Sequence, residues 1–320
     1  MFMKHEDVKE IISCLGGEKQ VFHYFKDRYC LDSIDYAMER QEKSAFKVSE
    51  LKSSKLSRFT SKPIIKDKLK YFGTGQIQQS ELALLWPESR ESFVLGLDCW
   101  GKADRGWDQT TRNQCNLVLQ LNFNQQHIKD YLRLVKPNDS YGPFEYRGHP
   151  ISRCDRKTMS WVRMDIDFDT NEVLIEEIQN DWLRNAKRVL NRLRKRREKA
   201  PQTKPNQVNR FIDANYEELE QYVENVLTPY DKIWAEASMT AAINFIRKDL
   251  GVNNIYYHSF ETGIQIKQVC GKPPRSMYTK LPKQFGFELG SEAPKFIVED
   301  KNSKRYLKAI KNPMFYRLAC

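Results

Sequence analysis

The chain has 320 residues and a formal net charge of +11 at pH 7, with 40% hydrophobic and 12% aromatic residues. This composition is sufficient for a packed core and excludes a chain that is disordered throughout. No apolar run approaches the ~20 residues of a membrane-spanning helix, and the first residues lack the basic-then-apolar order of a signal peptide. We therefore expect a cytoplasmic protein with no membrane partner.

Cysteine usage gives a second constraint. The seven cysteines are scattered along the chain: Cys14, Cys30, Cys99, Cys115, Cys154, Cys270 and Cys320. Their number is odd and no pair has the CxxC spacing, so the pattern favours neither a disulfide framework nor a zinc site. We expect reduced thiols, no metal site and no resident cofactor.

Residues 1–85 are predicted to form a helical N-terminal region. The run "HEDVKEIISCL" has apolar residues at helical spacing and stops at a pair of glycines. The next apolar positions keep the same period, and a serine-rich stretch with Pro63 then interrupts the pattern. From residue 86 to residue 320 we predict an α/β core.

The core begins with strand patterns. "SFVLGLDCW" and "CNLVLQLNF" are predicted strands, and "NQQHIKDYLRLV" is a predicted helix. In "WVRMDIDFDTNEVLIEEIQND" apolar and polar residues alternate on both sides of a turn sequence, which is typical of a β-hairpin.

The hairpin assigns different roles to two adjacent glutamates. If residues 169–171 form the loop, Arg163 faces Glu177, and Glu177 then has the ordinary role of an ion-pair partner. Glu176 faces Met164 in an apolar surround that would raise its pKa and suit a general base. A slip of one residue would exchange the two glutamates. On the alternative interpretation, both only close the end of a strand.

The C-terminal third has the pattern of a βα unit. The helix "KIWAEASMTAAINFIRKDLG" ends at Gly251, the strand "NNIYYHSF" follows, "ETGIQIKQV" is a short helix or turn, and "PKFIVED" has the character of a strand. A helix between two strands implies a crossover, so we expect "EVLIEEIQ" and "NIYYHSF" to pair in parallel. Residues 182–232 then form a basic helical insertion in that crossover.

The positive charge is concentrated in this insertion. From Trp182 to Arg210 there are eleven Lys or Arg residues and one acid. An apolar stripe extends only as far as Leu193, beyond which we expect the helix to project. Concentrated charge of this kind is typical of a polyanion binder, although a solvated helix face is the alternative. The predicted nucleic-acid-binding residues are Arg184, Lys187, Arg188, Arg192, Arg194, Lys195, Arg196, Arg197 and Lys199.

Several chemically active side chains are predicted to converge. Ligands of open sheets bind at the carboxyl ends of parallel strands. Glu177, Asp181, His258 and Glu261 lie at or after those ends, together with Gln179. We therefore expect a carboxylate-rich edge there, with a role in catalysis as one interpretation. The alternative is that His258 is a structural donor, and no second histidine is placed to complete a metal site.

The order helix, "NNIYYHSF", short helix and "YTKLPKQFGFE" resembles the C-terminal half of the GCN5-related acyltransferase fold. That resemblance implies Tyr278 as general acid, Glu176 or Glu177 as general base, and acetyl-CoA as the acyl donor. The pyrophosphate loop of that family contains glycine and opens the long helix. Here no glycine lies between Asp181 and Gly251.

A second resemblance covers residues 172–318. "EEIQNDW", "FETG" and "YTKLP" are similar, in order, to a domain of large polyvalent proteins of phages and mobile elements. The resemblance implies a genetic setting and no particular reaction. The residues it indicates are Glu176, Glu177, Gln179, Asp181, Trp182, Glu261, Thr262, Gly263, Tyr278 and Lys280.

Together these patterns predict an α+β protein with a mixed β-sheet core flanked by helices, a helical N-terminal region and an inserted basic helix. The leading functional hypothesis is a nucleic-acid-associated protein, from a phage or mobile-element setting, that binds DNA, RNA or another polyanion. A GCN5-like acyltransferase is the second hypothesis. A non-catalytic assembly protein with a protein partner is the third, so the sequence leaves open whether the protein is an enzyme.

Overall fold

The structure, a computed structural model, describes residues 3–14, 20–69, 75–101, 109–138, 142–152, 156–199, 211–269, 271 and 273–318. Residues 200–210 of the predicted basic arm, and the glycine pair expected to end the first helix, lie outside these ranges. Within them, no helix has both the length and the apolar character needed to cross a membrane.

The helices are distributed along the whole described chain. They are α1 His5–Cys14, α2 Arg28–Arg40, α3 Val48–Ser53, α4 Ser57–Thr60, α5 Pro63–Leu69, α6 Gln79–Leu82, α7 Gln125–Leu134, α8 Trp182–Lys199, α9 Tyr216–Gln221, α10 Thr228–Asn244, α11 Phe260–Ile266, α12 Lys280–Gln284, α13 Lys295–Glu299 and α14 Lys301–Ala309. Short 3₁₀ or π segments lie at Ala83–Leu85, Tyr222–Val226, Phe245–Asp249 and Arg275–Tyr278.

The strands belong to two sheets. They are β1 Val21–Tyr24, β2 Ala45–Lys47, β3 Gln76–Gln78, β4 Glu91–Trp100, β5 Asn116–Phe123, β6 Thr158–Asp167, β7 Glu172–Gln179, β8 Asn254–His258, β9 Phe287–Gly290 and β10 Phe315–Leu318. The large sheet has the order β1-β4-β5-β6-β7-β8-β10-β9, and β2 pairs with β3 in a small one.

The large sheet is mixed. Its neighbouring strands are antiparallel except β7 and β8, which run parallel. The predicted α+β class with a mixed sheet flanked by helices is confirmed, and so is the parallel pairing of the "EVLIEEIQ" and "NIYYH" strands. The crossover between them holds α8, α9 and α10.

The two faces of the sheet are buried by different helices. Val173 and Ile175 of β7 belong to the main core, on the face that α10 covers. Leu174 points the opposite way and packs with Tyr256 of β8 against side chains of α13 and α14. Successive β7 residues are thus buried on both faces, as expected for a central strand in contact with a parallel neighbour.

The N-terminal region is mainly helical, as predicted, with α1 to α6, but its described residues also include three short strands. Phe22 and Tyr24 alternate with more exposed residues, and β1 pairs with β4 at the edge of the large sheet. Residues 45–47 and 76–78 pair as a two-stranded ribbon. These runs of three or four residues are too short to show a period in the sequence, so their pairing with distant strands decides their structure.

Two segments near the C-terminus also differ from expectation. "PKFIVED" is helical as α13, not a strand, because Pro294 opens the turn and Phe296 and Ile297 both insert into the core beside Leu174. The "MFYRL" segment forms β10 between β8 and β9. Gly251 ends the long helical run as predicted, with φ +69°.

Candidate functional site

An irregularity in the β6–β7 hairpin positions the two glutamates. The loop is one residue longer than expected, since Asp167 faces Glu172, and Met164 consequently faces Ile175 and not Glu176. The register then shifts, and Arg163 faces Glu177 as predicted. Glu176 is the extra residue of a β-bulge, a feature that re-aims side chains. Both glutamates therefore reach the face that carries Arg163.

Glu176 is fully buried within a group of polar side chains. The backbone N–H of Thr111 donates to Oε1 at 2.9 Å, and the Thr111 hydroxyl donates to Oε2 at 2.9 Å. His258 Nε2 lies 3.2 Å from Oε2 and 2.9 Å from the Thr111 hydroxyl oxygen. Lys267 Nζ donates to the Glu176 backbone carbonyl at 2.7 Å and lies 3.8 Å from Oε2. We call these four residues the buried cluster.

The charges of the buried cluster follow from these contacts. Burial raises the pKa of Glu176, but the hydrogen bond from His258 and the charges of Lys267 and Arg163 outweigh burial and lower the pKa to about 2. Burial lowers the pKa of His258 and of Lys267. Glu176 is thus ionised at neutral pH, and the expected apolar surround with a raised pKa is wrong.

One ring nitrogen of His258 takes no part in these contacts. As a neutral imidazole it donates from Nε2 towards Glu176, a tautomer that we assign from the acceptors around it. Its Nδ1 is buried and has no hydrogen-bond partner among the described residues. Gly263 of α11 packs against the same side chain, where a Cβ would lie 3.0 Å from the His258 Cβ. The close approach explains the glycine at this position.

The segment that supplies Thr111 is fixed by an adjacent arginine. Arg112 is buried and forms ion pairs with Asp165 at 2.6 Å and Asp167 at 3.1 Å. Its guanidinium also lies over the Phe296 ring, 4.2 Å from the centroid. These contacts tie residues 111 and 112 to β6 and α13, and so hold the Thr111 donors in place above Glu176.

Glu177 has a different environment from Glu176. Its Oε2 lies 3.1 Å from a guanidinium nitrogen of Arg163, and its side chain is 21% exposed. The predicted Arg163–Glu177 pair is confirmed, but Arg163 itself is almost fully buried. The same Arg163 nitrogen donates to the backbone carbonyl of Gln109 at 2.8 Å. Glu177 is therefore a partly exposed carboxylate that is paired with a buried arginine.

A crevice opens where β7 and β8 separate. β8 pairs with β7 only as far as Ile175, and within the described residues no strand pairs with Glu176–Gln179 on that side. A cavity of about 340 Å³ lies beside this end of β7, and Glu177, Gln179 and Tyr278 are among its lining residues. We call it the fork crevice. Its lining thus combines a carboxylate, an amide and a tyrosine.

Tyr278 forms one wall of the fork crevice. Its ring lies 5.6 Å from that of Tyr257 and 6.2 Å from that of Phe260. Burial raises the pKa of Tyr278, with a further contribution from the charge of Glu177. The phenol therefore stays protonated at neutral pH and can act as a hydrogen-bond donor.

Asp181 belongs to a third group of side chains, at the start of α8. Its Oδ2 lies 2.5 Å from His149 Nδ1, and the Gln179 amide donates to Oδ1 at 2.9 Å. Burial raises the pKa of Asp181, but the contacts with His149, Gln179 and Arg184 together outweigh burial and lower it. Aromatic rings surround the imidazole at centroid distances of 4.6, 5.3 and 6.3 Å: Tyr146, Trp161 and Trp100.

The predicted catalytic residues are therefore divided among separate places. Glu176 and His258 meet in the buried cluster, Glu177 and Tyr278 line the fork crevice, and Asp181 pairs with His149. Glu261 instead pairs with Arg275 at the surface, where both side chains are more than half exposed. The single convergent crevice expected from the sequence is not formed by these side chains, because the bulge and the burial of Glu176 separate them.

The basic helix α8 has two charged sides. Arg194 pairs with Glu220 and Glu224, and Arg197 pairs with Glu217. The end of α8 thus lies against α9 and its acids, and does not project beyond its apolar stripe as expected. Nearer the start of the helix, Arg184 pairs with Asp181 and Lys187 with Asp231.

The remaining cations of α8 are exposed. Within the described residues no ion pair joins the side chains of Arg188, Arg192, Lys195, Arg196 and Lys199. A shallow groove along the helix is lined by Arg184, Lys187, Arg188, Asn191, Arg192 and Lys195. We call these side chains the basic face. Arg184 and Lys187 also line the fork crevice, so the basic face and the crevice are continuous.

The start of α8 has no cradle for a diphosphate. The Asn180 side chain accepts the backbone N–H of Leu183 at 2.9 Å, which satisfies one of the free donors of the first turn. The carboxylate of Asp181 lies beside that turn and disfavours a second anion there. Phosphate groups near this end of the helix would have to contact Arg184 and Lys187.

Sequence reasoning missed several residues of these groups. Thr111 and Lys267 reach Glu176 from 65 and 91 residues away, and His149 reaches Asp181 from a Pro/Gly-rich connection 32 residues upstream. Lys267 lies within the predicted "ETGIQIKQV" helix, but nothing in its spacing separates it from a surface lysine. Comparison of the chain with protein-family models, with curated proteins and with solved structures found no match. Neither resemblance seen in the sequence gains support from these comparisons.

Proposed function

We propose that this protein binds a polyanion, with nucleic acid as the leading candidate, along the basic face of α8. The observation that carries the proposal is a row of exposed cations on α8, including Arg188, Arg192 and Lys195, that have no ion-pair partners among the described residues. Four other cations of the helix do have such partners: Arg184, Lys187, Arg194 and Arg197. A helix face needed only for solubility would be expected to mix acids with bases.

The dimensions of the basic face suit a phosphate backbone. From Arg184 to Lys195 the helix rises ~16 Å at 1.5 Å per residue. Phosphates recur every ~3.4 Å along the axis of each strand of a duplex, so several can lie within reach of these side chains. Arginine and lysine on successive turns would bind the backbone with little dependence on base sequence.

The fork crevice gives the proposal a place for chemistry. Glu177 supplies a carboxylate and Tyr278 a protonated phenol, and both lie at the end of the basic face. A ligand held on α8 can place a hydroxyl, an amine or a chain end between them. Residues of the buried cluster would then support the strand that carries Glu177, without contacting the ligand. The phage or mobile-element setting stays a prediction.

A fluorescence titration tests the proposal. Labelled single-stranded DNA, duplex DNA and RNA are added to the full chain at two salt concentrations. We expect binding that weakens steeply with salt, with the slope falling by about 0.7–0.9 for each phosphate contact removed. The variant K187Q/R188Q/R192Q/K195Q should lose most of the affinity. Unchanged affinity of this variant at low salt would refute the proposal, and absence of binding by the wild type would favour the assembly hypothesis.

A second candidate function is acyl transfer from acetyl-CoA. The separation of β7 from β8, with a bulge on β7 and Tyr278 in the fork, favours it, because a thin extended ligand could pair with the open strand edge. The capped start of α8 and the nearby Asp181 oppose it. We expect calorimetry with acetyl-CoA to give no binding tighter than about millimolar, or roughly −4 kcal/mol. Micromolar binding would make acyl transfer the leading function.

A further inference from the structure

A histidine and two cysteines from distant parts of the chain meet at the edge of the large sheet. His5 Nδ1 lies 3.0 Å from Cys99 Sγ and 4.0 Å from Cys115 Sγ. All three ligand atoms lie within 4.8 Å of one another. His5 is exposed, Cys99 is partly exposed and Cys115 is buried, so the group is open to solvent on the histidine side.

Strand pairing brings the two cysteines together. Trp100 of β4 faces Asn116 of β5, which places Cys99 next to the end of β4 and Cys115 directly before the start of β5. The Cys115 thiol donates to the backbone carbonyl of Gly101 at 3.2 Å. Gly101 has φ +94°, and a Cβ there would lie 2.8 Å from the Gln114 carbonyl oxygen, so only glycine allows this close approach.

The histidine is brought to the same place by backbone anchors. The Met3 N–H donates to the Gln114 side chain at 2.8 Å, and the Cys115 N–H donates to the Met3 carbonyl at 3.3 Å. Helix α1 begins two residues later, at His5. The chain before α1 is therefore fixed against the residues that carry Cys115, and the imidazole is positioned by main-chain contacts.

The donor atoms fit a soft divalent cation. One imidazole nitrogen and two thiolates are ligands that Zn²⁺ prefers, and three protein ligands leave a fourth position for water. Ligand atoms around tetrahedral zinc lie about 3.5–3.8 Å apart, as the zinc–sulfur and zinc–nitrogen bond lengths require. The observed separations lie on either side of this range, so rotation of the exposed His5 side chain and small thiol shifts would close the site.

Metal binding at this site should depend on pH. A bound cation takes thiols as thiolates and releases their protons to solvent, so binding becomes tighter as pH rises.

We propose that His5, Cys99 and Cys115 form a Zn²⁺ site. The metal ties α1 to the β4–β5 pair, and its fourth position faces solvent beside His5. The cysteine spacing in the sequence did not indicate this site. His5 is 94 residues from Cys99 and 110 from Cys115, and the strand register together with the Met3 contacts brings the three side chains together.

Cobalt titration of the fully reduced full-length chain tests the proposal. Co²⁺ should bind in a one-to-one ratio with a thiolate-to-metal charge-transfer band and the visible bands of a tetrahedral site, and Zn²⁺ should displace it. Cys115→Ser and Cys99→Ser should weaken binding at least about 100-fold, since even outer partners of metal ligands are worth 10–100-fold. His5→Gln, at an exposed position, should weaken binding without affecting the fold.

Cys14→Ser is the matched control, because Cys14 is an exposed thiol on the same helix as His5. It should bind Co²⁺ as the wild type does. The proposal fails if the wild type shows no charge-transfer band, or if His5→Gln and Cys99→Ser keep the wild-type band and affinity. If the cysteine variants do not fold, the His5→Gln result decides alone.

Discussion

Glu176 and Glu177 are neighbours on β7, but the structure around them differs in almost every respect. Glu176 is fully buried and surrounded by donors from three other segments, whereas Glu177 is partly exposed and has one arginine partner at the wall of a crevice. The bulge turns both towards the same face, so strand alternation does not separate them. The two glutamates differ in their partners. Glu176 is a counter-ion within the core, whereas Glu177 lines a crevice that a ligand could enter.

The largest expected difference between the two glutamates is in their contribution to the stability of the fold. Glu176→Gln removes the charge opposite buried Lys267 and places an amide among the Thr111 and His258 donors. We expect the free energy of unfolding to fall by about 3–5 kcal/mol, as when one member of a buried ion pair is lost. Urea denaturation of Glu177→Gln is the control. We expect a smaller loss of about 1–3 kcal/mol, because the buried Arg163 keeps the Gln109 carbonyl and the new amide oxygen as acceptors. Equal losses would contradict the division of roles.

The difference in stability between the wild type and Glu176→Gln should shrink in acid. The pKa of Glu176 is lowered from 4.5 to about 2 in the folded chain, so ionised Glu176 stabilises the fold above pH 4.5 and this contribution is lost as pH falls towards 2. The gap in unfolding free energy between wild type and Glu176→Gln should therefore shrink by roughly 3 kcal/mol over that interval. A gap that stays constant from pH 6 to the lowest pH at which both variants fold would show that Glu176 is not the titrating group.

A smaller effect should follow from the donor opposite Glu176. Thr111→Val keeps the shape of the side chain but removes the hydroxyl that contacts both Glu176 and His258. We expect a loss of about 1–3 kcal/mol in the free energy of unfolding, the cost of a buried group left without a partner. Thr110→Val, at the less buried adjacent position, should lose less. Equal losses of unfolding free energy at the two positions would show that the Thr111 hydroxyl does not stabilise the buried cluster.

The smallest expected effect concerns the crevice. Glu177→Gln removes a negative charge close to Arg184 and Lys187. If the polyanion enters the crevice, its affinity should rise a few-fold, which corresponds to less than about 1 kcal/mol. Glu261→Gln makes the same charge change at a different surface ion pair and should leave the affinity unchanged in the same titration. A drop in affinity on Glu177→Gln would give that carboxylate a direct contact with the ligand.

The sequence predicted much of the architecture around the site. Alternation identified the β6–β7 hairpin and the Arg163–Glu177 pair, and the helix between two apolar runs implied the parallel β7–β8 pairing. These features depend on local periodicity and on the handedness of crossovers, both of which are visible in one sequence.

The chemistry of the site was harder to predict. The bulge at Glu176 is supported by Thr111, which packs from a distant segment, and no local pattern encodes it. The pKa of Glu176 depends on Lys267 and His258, whose proximity requires the full fold. In "PKFIVED" the burial of adjacent residues against Leu174 overrode a strand-like composition. Long-range packing therefore decided the points on which sequence reasoning was wrong.

The central claim is that the side chains of the basic face bind the polyanion, and that the total positive charge of α8 does not by itself explain binding. Two double variants remove the same charge from the same helix: Arg188→Gln with Arg192→Gln on the basic face, and Arg194→Gln with Arg197→Gln on the side that contacts α9. The decisive measurement is the salt dependence of nucleic-acid binding for both. We predict that the first pair lowers the slope by about 1.4–1.8 and weakens binding strongly, and that the second leaves the slope nearly unchanged. Equal effects of the two pairs, or a larger effect of the second, would contradict the account.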